Sequence, residues 1–317
     1  MAWLRFSSCR KTSAVCGFTL VEMVIVILIA GILSGIVAVF IVRPVEGYRD
    51  LQRRAALVDA AESALRRFER DVRIALPNSV RRTNFGGGGF ALELLPTLDG
   101  GKYEPGGANA CNTTADRERL RFAGDANFDV IAGFRNITPG NYSTYRMVVN
   151  NLGTTGNDVY ADGSSGANPG VITPLGINIS ITRPASAYTP CPGDLVNDHV
   201  TFSSTHSFRG GASTNRRVYI VTTPVSYLCL PDAANPSLGT LMRYENYPIV
   251  AAQPSSAAIA PLATAASARI ADHVSACSVT TTTVDMRNTS LVTLDLSIAE
   301  AGEQIRLIHQ MPLDNTR

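Results

Sequence analysis

One stretch near the start of the chain restricts the possible folds more than any other. Residues 23–42 read MVIVILIAGILSGIVAVFIV, a run of twenty residues without a charged side chain. With a helical rise of about 1.5 Å per residue, the run covers roughly 30 Å, the thickness of the hydrocarbon core of a bilayer. A buried helix of a soluble protein is the alternative, but such helices are generally shorter and less uniformly apolar. The run therefore predicts a helix that spans a membrane.

The residues on either side of this run predict its orientation. Arg5, Arg10 and Lys11 precede it, within seventeen positions that contain no acidic residue. The positive-inside rule then keeps the N-terminus in the cytoplasm and exports the chain beyond the run. A secretory signal has a small-residue cleavage site directly after its apolar stretch, whereas Arg43 and Pro44 follow here. Processing by another route is therefore expected.

A short motif joins the basic leader to the apolar run: residues 17–22 read G-F-T-L-V-E. This motif resembles the processing site of type IV prepilins. The resemblance implies that a prepilin peptidase cuts between Gly17 and Phe18 on the cytoplasmic side, leaves the apolar helix attached and methylates the new N-terminal Phe18. Residues 1–17 are then a leader that is removed, and residues 18–42 form the transmembrane and filament-core helix.

Glu22 stands out on physical grounds, because a carboxylate inside a transmembrane helix costs roughly 2.5–3.5 kcal/mol on insertion scales and needs a partner. No Lys or Arg occurs between Phe18 and Val42. Cleavage after Gly17 would create a cationic amine, and the amine of a neighbouring subunit would neutralise Glu22 during assembly, the role that the resemblance also implies. Two alternatives stay open: Glu22 snorkels to the headgroups, or it pairs with the Phe18 amine of its own chain at i,i+4.

A second helical pattern follows the apolar run. Pro44 is expected to kink or interrupt the helix, and Pro77 to end it. Between them, apolar residues recur every three or four positions, which predicts a stripe that covers a sheet, and charges of alternating sign predict a solvated opposite face. Residues 43–76 are interpreted as the amphipathic periplasmic half of one long helix. The stripe comprises Leu51, Ala55, Val58, Ala61, Leu65, Phe68, Val72 and Leu76, and the charged face includes Asp59, Glu62, Glu69, Asp71 and seven Arg residues.

Residues 77–317 are predicted to form a β-rich head. Runs of β-branched and aromatic residues bounded by turn residues indicate strands, and the alternating residues 292–298 indicate the first strand of a terminal hairpin. The predicted fold class is therefore α+β, of the type IV pilin kind: a long N-terminal helix, transmembrane in its first half, packed on an antiparallel β-rich head. The predicted strands are residues 90–95, 145–149, 177–182, 199–203, 217–223, 280–286 and the hairpin.

Other segments of the head are interpreted as connections. The glycine clusters at residues 86–89 and 100–101 are expected to be turns, because no phosphate-binding glycine spacing opens a helix there. Residues 153–170 are expected to be a polar loop. Residues 268–274 follow an Ala/Ser/Pro-rich stretch and are expected to form a short helix.

The cysteines of the exported part predict disulfides. Cys111, Cys191, Cys229 and Cys277 are dispersed, which suits an oxidising compartment. Four cysteines allow three pairings, and the sequence alone does not choose among them. We expect pairing in chain order, Cys111 with Cys191 and Cys229 with Cys277. Metal binding is the competing interpretation, but no C-x-x-C or Cys/His pair at ligand spacing occurs, so no metal site is predicted.

No catalytic site is predicted. His199, His206, His273 and His309 are isolated in the sequence, neither G-x-S-x-G nor H-E-x-x-H occurs, and each histidine is expected at a strand surface. We therefore expect a protein that is not an enzyme and that needs no cofactor. Lys and Arg number 28 against 26 Asp and Glu, a balance that argues against nucleic acid as a partner.

Four downstream segments, residues 218–229, 241–248, 273–277 and 305–310, resemble the MshO family of minor pilins from the mannose-sensitive haemagglutinin pilus system. The resemblance implies a minor pilin that is extracted from the inner membrane into a fibre, at its initiation, priming or tip. A long chain supports this role, since a major pilin must repeat densely along the fibre.

The partners implied are prepilin peptidase, other major and minor pilins, the inner-membrane assembly platform and the lipid bilayer. The implied location is the inner membrane, with one pass and a periplasmic head, and later the pilus at the cell surface. The main alternative is a J-type minor pseudopilin of a type II secretion system, which shares every N-terminal feature. A tip adhesin and a membrane-anchored periplasmic hydrolase are further alternatives.

Overall fold

The computed structural model describes residues 19–106, 119–183, 197–284 and 289–314. Within these ranges the helices are α1 (Leu20–Arg73) and α2 (Val159–Ser165), accompanied by two short 3₁₀ turns. The strands are β1 (Arg81–Asn84), β2 (Phe90–Leu94), β3 (Thr97–Tyr103), β4 (Asp125–Ile131), β5 (Gly140–Tyr142), β6 (Arg146–Val149), β7 (Ile179–Thr182), β8 (Asp198–His206), β9 (Arg217–Val221), β10 (Val225–Leu230), β11 (Thr240–Glu245), β12 (Ala266–Asp272), β13 (Val274–Val284), β14 (Thr289–Glu300) and β15 (Glu303–Asp314).

The long helix α1 contains Pro44, so the interruption expected there does not occur. Proline lacks a backbone donor, so it removes one hydrogen bond of the helix, and the helix nevertheless continues to Arg73. α1 ends at Arg73, before the predicted Leu76, because Leu76 instead donates its N–H to the carbonyl oxygen of Leu95 at 2.8 Å.

The chain forms two compact units, which divide within α1 between Arg53 and Arg54. The described part of the first unit is helical from Leu20 onward, and every side chain from Thr19 to Phe40 is exposed. The second unit holds the rest of α1 and all described strands. The fold class is therefore α+β, as predicted: a long N-terminal helix is followed by an antiparallel β-rich head, in a type IV pilin-like arrangement.

In the residues that the structure describes, the head contains three antiparallel sheets. A five-stranded sheet has the order β1-β2-β10-β11-β12, and the last three strands form a separate sheet in the order β13-β14-β15. The predicted terminal hairpin is confirmed: Glu300 pairs with Glu303, and Ala301 and Gly302 turn the chain with positive φ angles of 49° and 87°. Such angles suit the short connection between two antiparallel strands.

The third sheet is an insertion into the first. Strands β2 and β10 pair directly, with Leu94 opposite Val225, yet residues 97–221 lie between them in sequence. These residues form the seven-stranded sheet β5-β7-β8-β4-β3-β9-β6 and have their own apolar cluster, which includes Phe128, Val130 and Ile220. We call this region the inserted lobe.

The second half of α1 packs on the five-stranded and three-stranded sheets. Ala61, Phe68 and Val72 are fully buried in one cluster with side chains of β2, β10 and β14. The Phe68 ring meets the Tyr227 ring edge to face, with centroids 4.7 Å apart. The predicted apolar stripe is thus confirmed from Ala61 onward, whereas Leu51 and Ala55 at its start are exposed.

Three predictions about the secondary structure of the head are wrong. Residues 268–274 lie largely in strand β12 and not in a helix, because pairing with β11 overrides the helical preference of an Ala-rich segment. The expected loop 153–170 contains α2, whose N-terminus is capped by the Asp158 carboxylate, an acceptor from the N–H of Tyr160 at 2.7 Å. Gly100 and Gly101 lie inside β3, where a side chain would meet the ring of Tyr219 or the side chain of Val130.

A disulfide joins Cys229 at the end of β10 to Cys277 in β13, with a Cα–Cα distance of 6.6 Å. It connects the five-stranded sheet to the three-stranded sheet, and both residues are buried in the cluster that contains α1. This pair is one of the two expected from the sequence. The other two cysteines, Cys111 and Cys191, lie outside the described residues.

Candidate functional site

The candidate site is the first turn of α1, where the described chain begins. Thr19 caps the helix: its side-chain oxygen accepts the N–H of Glu22 at 3.3 Å, and its carbonyl oxygen accepts the N–H of Met23 at 3.2 Å. A capping threonine followed three residues later by glutamate is the spacing of a capping box. Thr19 is therefore a structural residue of this site that sequence analysis missed, although its T-x-x-E signal was present. Gly17 and Phe18, the predicted processing residues, lie outside the described residues.

Glu22 lies in this first turn, where the positive end of the helix dipole favours an acidic side chain. Its side chain is exposed. In the part of the chain that the structure describes, no ion pair includes Glu22, and the sequence has no Lys or Arg between Phe18 and Arg43. The carboxylate is therefore placed at a helix end with its charge uncompensated by the described chain.

The helix behind this turn is apolar and long enough to cross a membrane, by length and composition. Its large side chains are widely exposed, among them Leu20 at 81% and Phe40 at 76%. A surface of this kind needs lipid or other apolar helices around it. The first stretch of α1 therefore fits a single-pass membrane anchor.

The second stretch of α1 carries a different acid in a different setting. Asp71 is 5% exposed, and its carboxylate accepts hydrogen bonds from the Tyr227 hydroxyl at 2.8 Å and from Arg243 Nε at 2.6 Å. Arg243 also donates to Glu245 at 2.6 Å. Burial and the Asp71 charge raise the pKa of Tyr227, which keeps its hydroxyl a donor. This network fixes the helix to β10 and β11.

Asp71 was expected on the solvated face of the helix, and this expectation is wrong. A signal for its position existed, because Ala64, Phe68, Asp71 and Ala75 follow one another at spacings of four, three and four residues. This is the periodicity of a buried helix face. All four are buried in the structure.

A second buried acid, Glu93 on β2, ties the inserted lobe to the five-stranded sheet. Its carboxylate accepts Arg81 Nε at 2.6 Å and the Tyr247 hydroxyl at 3.0 Å. The Arg81 guanidinium lies over the ring of Tyr160, 3.6 Å from its centre, and the Tyr160 hydroxyl donates to the Ser79 carbonyl oxygen at 2.8 Å. Burial raises the pKa of Glu93, against the opposing charge of Arg81. These contacts are structural, since each donor and acceptor is used within the chain.

The histidines do not assemble a recognisable catalytic site. His199 Nδ1 lies 2.8 Å from Asp129 Oδ1, and His309 lies beside Glu69. His206 is fully buried, against the expectation of a surface position, because it ends β8 on the side that faces the core of the inserted lobe. Burial lowers the pKa of His206 to about 4, and the nearby charge of Arg146 adds to this effect. Among the described residues, no cluster of three or more His, Cys, Asp or Glu side chains has the geometry of a metal site.

Comparison with known proteins identifies the N-terminal region. The family described as "Prokaryotic N-terminal methylation motif" matches residues 12–38, which include the predicted processing residues and Glu22. No curated protein and no solved structure matches the chain. The chain thus carries the N-methylation motif of type IV prepilin-like proteins. This motif, with the long helix and β-rich head, indicates a structural subunit of the pilin or pseudopilin class that is processed by prepilin peptidase and assembles with other pilins.

Proposed function

We propose that this protein is a minor pilin, which is extracted from the inner membrane into a type IV pilus and acts at the initiation, priming or tip of the fibre. The observation that carries the proposal is the N-methylation motif over residues 12–38, on a helix that continues into a β-rich head. No catalytic function is proposed, because the motif belongs to proteins that polymerise.

Processing takes place between Gly17 and Phe18, followed by N-methylation of Phe18. Residues 1–17 are the leader that prepilin peptidase removes, and residues 18–42 are the transmembrane and filament-core helix. The amphipathic residues 43–76 and the head, residues 77–317, lie in the periplasm before extraction by the inner-membrane assembly platform. The N-terminus is cytoplasmic, and the mature subunit reaches the cell surface in the pilus.

Glu22 pairs with the methylated amine of a neighbouring subunit during assembly. Its position in the first turn of an exposed apolar helix supports this role, as does the lack of a cation in the sequence between Phe18 and Val42. A carboxylate in lipid gains most from an oppositely charged group that arrives at the same depth. Capping by Thr19 holds the turn that presents it.

The size of the head favours a minor subunit. The inserted lobe adds a complete seven-stranded sheet to the five-stranded and three-stranded sheets that cover the helix. A subunit that repeats densely along a fibre has little room for such an addition, whereas a subunit present in few copies at one end does. The segments that resemble the MshO family support the same assignment within the mannose-sensitive haemagglutinin pilus system.

A J-type minor pseudopilin of a type II secretion system is the second candidate, because the N-methylation motif is shared by both classes. The two differ in their partners. Photocrosslinking from position 22 in cells should capture pilins of a pilus operon under our proposal, and secretion pseudopilins under the alternative.

The proposal is tested first by N-terminal sequencing of the protein from cells with and without prepilin peptidase. We expect N-methyl-Phe18 as the N-terminus only in cells that have the peptidase. In cells without it, we expect the uncut leader, which begins at Met1. A Gly17→Ala variant serves as the control for the position of the cut. A cut beyond Val42, or processing that is independent of the peptidase, would contradict the proposal.

The role of Glu22 is tested with Glu22→Ala and Glu22→Asp. We expect both variants to insert in the membrane and to be cut, but Glu22→Ala to be absent from sheared fibres, with partial recovery in Glu22→Asp because the charge is retained. Wild-type amounts of Glu22→Ala in fibres would refute the assigned role.

A further inference from the structure

An open cleft lies along one side of the inserted lobe, where β3 and β9 run beside the end of α1. Its volume is about 660 Å³. A neighbouring depression of about 410 Å³ shares Lys102, Ile131 and Arg217 with it, so the two form one continuous surface. Volumes of this size are typical of sites for small ligands. We call this surface the basic cleft, after four of its residues, Lys102, Arg135, Arg216 and Arg217.

The charge of the basic cleft is positive and unneutralised. Its four defining cations are all exposed, and none forms an ion pair with a described carboxylate. Glu104 is an acid in the lining, and it is engaged by Arg119 at 3.3 Å. Asp99 of β3 is turned to the backbone, where it accepts the N–H groups of Gly100 and Asn136. Glu104 and Asp99 are therefore bonded to other groups and form no ion pair with these four cations.

Two of these cations are held side by side. Lys102 on β3 lies directly opposite Arg217 on β9 in the register of the sheet. Like charges in directly opposed positions destabilise a strand pair. Arg216, the next residue, has a φ angle of 50°, which is uncommon for a residue other than glycine. The chain thus concentrates positive charge at a local cost in stability, and a bound anion would remove the repulsion.

The remaining lining indicates which anion fits. Thr214 and Asn215 are exposed, uncharged hydrogen-bonding side chains, suited to hydroxyl groups, and the half-buried ring of Tyr219 lines the same surface. The hydroxyl of Thr97, also in the lining, already donates to the carbonyl oxygen of Ile74. Single-stranded nucleic acid is bound on a series of stacked aromatic rings, whereas the other tyrosine of the cleft, Tyr103, is fully buried. The planar guanidinium of Arg matches a carboxylate with two donors, and Lys adds a positive point charge.

We propose that the basic cleft binds an acidic oligosaccharide, a sugar chain that carries carboxylate groups. Lys102, Arg216 and Arg217 bind the carboxylates, and the neutral polar side chains bind the hydroxyl groups. The proposal is independent of the role assigned to Glu22 and of whether the fibre is a pilus or a pseudopilus, because it concerns the head alone.

The experiment is calorimetric titration of the full chain, in nonionic detergent, with trigalacturonate at about 50 mM salt, where surface charges are weakly screened. We expect saturable binding of trigalacturonate and none of its fully methyl-esterified form, which keeps the hydroxyl groups but lacks the charge. Loss of two charged hydrogen bonds in a Lys102→Gln/Arg217→Gln variant should weaken binding at least about tenfold. The matched control Arg269→Gln, which removes an exposed arginine of β12, should bind like wild type.

Folding is monitored in the same samples by the midpoint of thermal unfolding. The double variant should unfold at the wild-type temperature or above, because it loses a like-charge pair. Trigalacturonate should raise the midpoint of the wild type and of Arg269→Gln but not that of the double variant. If the double variant is less stable, Arg216→Gln carries the same test, because this residue precedes β9 and is exposed. Absence of binding, equal binding of the methyl ester, an equal loss in Arg269→Gln, or tighter binding of an oligonucleotide of equal charge would each overturn the proposal.

Discussion

The two stretches of α1 are parts of one helix and differ in where their apolar side chains find partners. From Leu20 to Phe40 the side chains are exposed, and the acid of this stretch, Glu22, has no ion pair among the described residues. From Leu57 onward the apolar face is buried on the sheets, and its acid, Asp71, is bonded to Tyr227 and Arg243. The second stretch thus stabilises its own head, whereas the first depends on lipid or on other subunits. The match to the N-methylation motif, residues 12–38, includes most of this first stretch.

The largest effect expected from this comparison follows truncation of the apolar face. Phe68→Ala should lower the free energy of unfolding by about 3–5 kcal/mol, because it empties a fully buried site against the Tyr227 ring. Urea unfolding in nonionic detergent, followed by far-ultraviolet circular dichroism, measures the change. The matched variant Phe40→Ala removes an exposed ring and should leave the head as stable as wild type. Equal losses in the two variants would contradict the comparison.

The two acids give the second test. Asp71→Ala removes the buried partner of Arg243 and leaves it only the more exposed Glu245, so it should cost about 3–5 kcal/mol of head stability. Glu22→Ala should cost none, although it is expected to abolish entry into fibres. Both are measured by the same unfolding assay. A stable head in Asp71→Ala would show that the network does not fix the helix.

Removal of the Cys229–Cys277 disulfide tests how much the joined sheets that cover the second stretch of α1 contribute to the stability of the head. Replacing Cys229 and Cys277 by serine opens a loop with a sequence separation of 48. We expect a loss of about 2–4 kcal/mol, since the unfolded chain gains conformational freedom. Reduction of the wild type should give at least this loss, because it would also open the expected Cys111–Cys191 pair. A reduced protein that unfolds at the same urea concentration as the oxidised one would argue against a stabilising role.

The smallest effect is confined to the inserted lobe and depends on pH. The pKa of His206 is lowered from 6.5 to about 4, so the folded state resists protonation. Its contribution to stability is therefore complete above pH 6.5 and is lost as the pH falls toward 4, by about 2 kcal/mol at pH 5. His206→Phe should remove this part of the acid sensitivity. The check is the difference in unfolding free energy between variant and wild type at pH 7 and pH 5, and a difference that does not change with pH would contradict it.

Local patterns predicted the long elements of this protein well. The helix α1 follows from an uncharged run and a periodic stripe, and the β14–β15 hairpin follows from strict alternation around Ala301 and Gly302. The N-methylation motif is equally local, since G-F-T-L-V-E is contiguous. These features need no knowledge of distant residues.

The missed features depend on contacts that are distant in sequence. Strand β12 has the composition of a helix and becomes a strand by pairing with β11. The spacing of Asp71 from Phe68 and Ala75 indicates a buried face, but its partner Arg243 lies far along the chain and could not be foreseen from the helix alone. The sequence did not predict that residues 97–221 form an insertion, because no pattern in them indicates that Leu94 and Val225 pair.

That pairing of Leu94 with Val225 makes the seven-stranded sheet a modular addition. The chain leaves the five-stranded sheet at Leu94 and returns to it at Val225, and these two residues are paired. A turn of a few residues is therefore enough to join β2 to β10 in a chain that lacks the inserted lobe, as in ordinary hairpins. In the intact protein, β2 and β10 are neighbours in the sheet that covers the helix. This sheet can therefore be completed only after the ribosome has synthesised the whole inserted lobe that lies between them in sequence. Substitutions on the surface of the extra sheet can therefore leave the register of the helix-covering sheet unchanged.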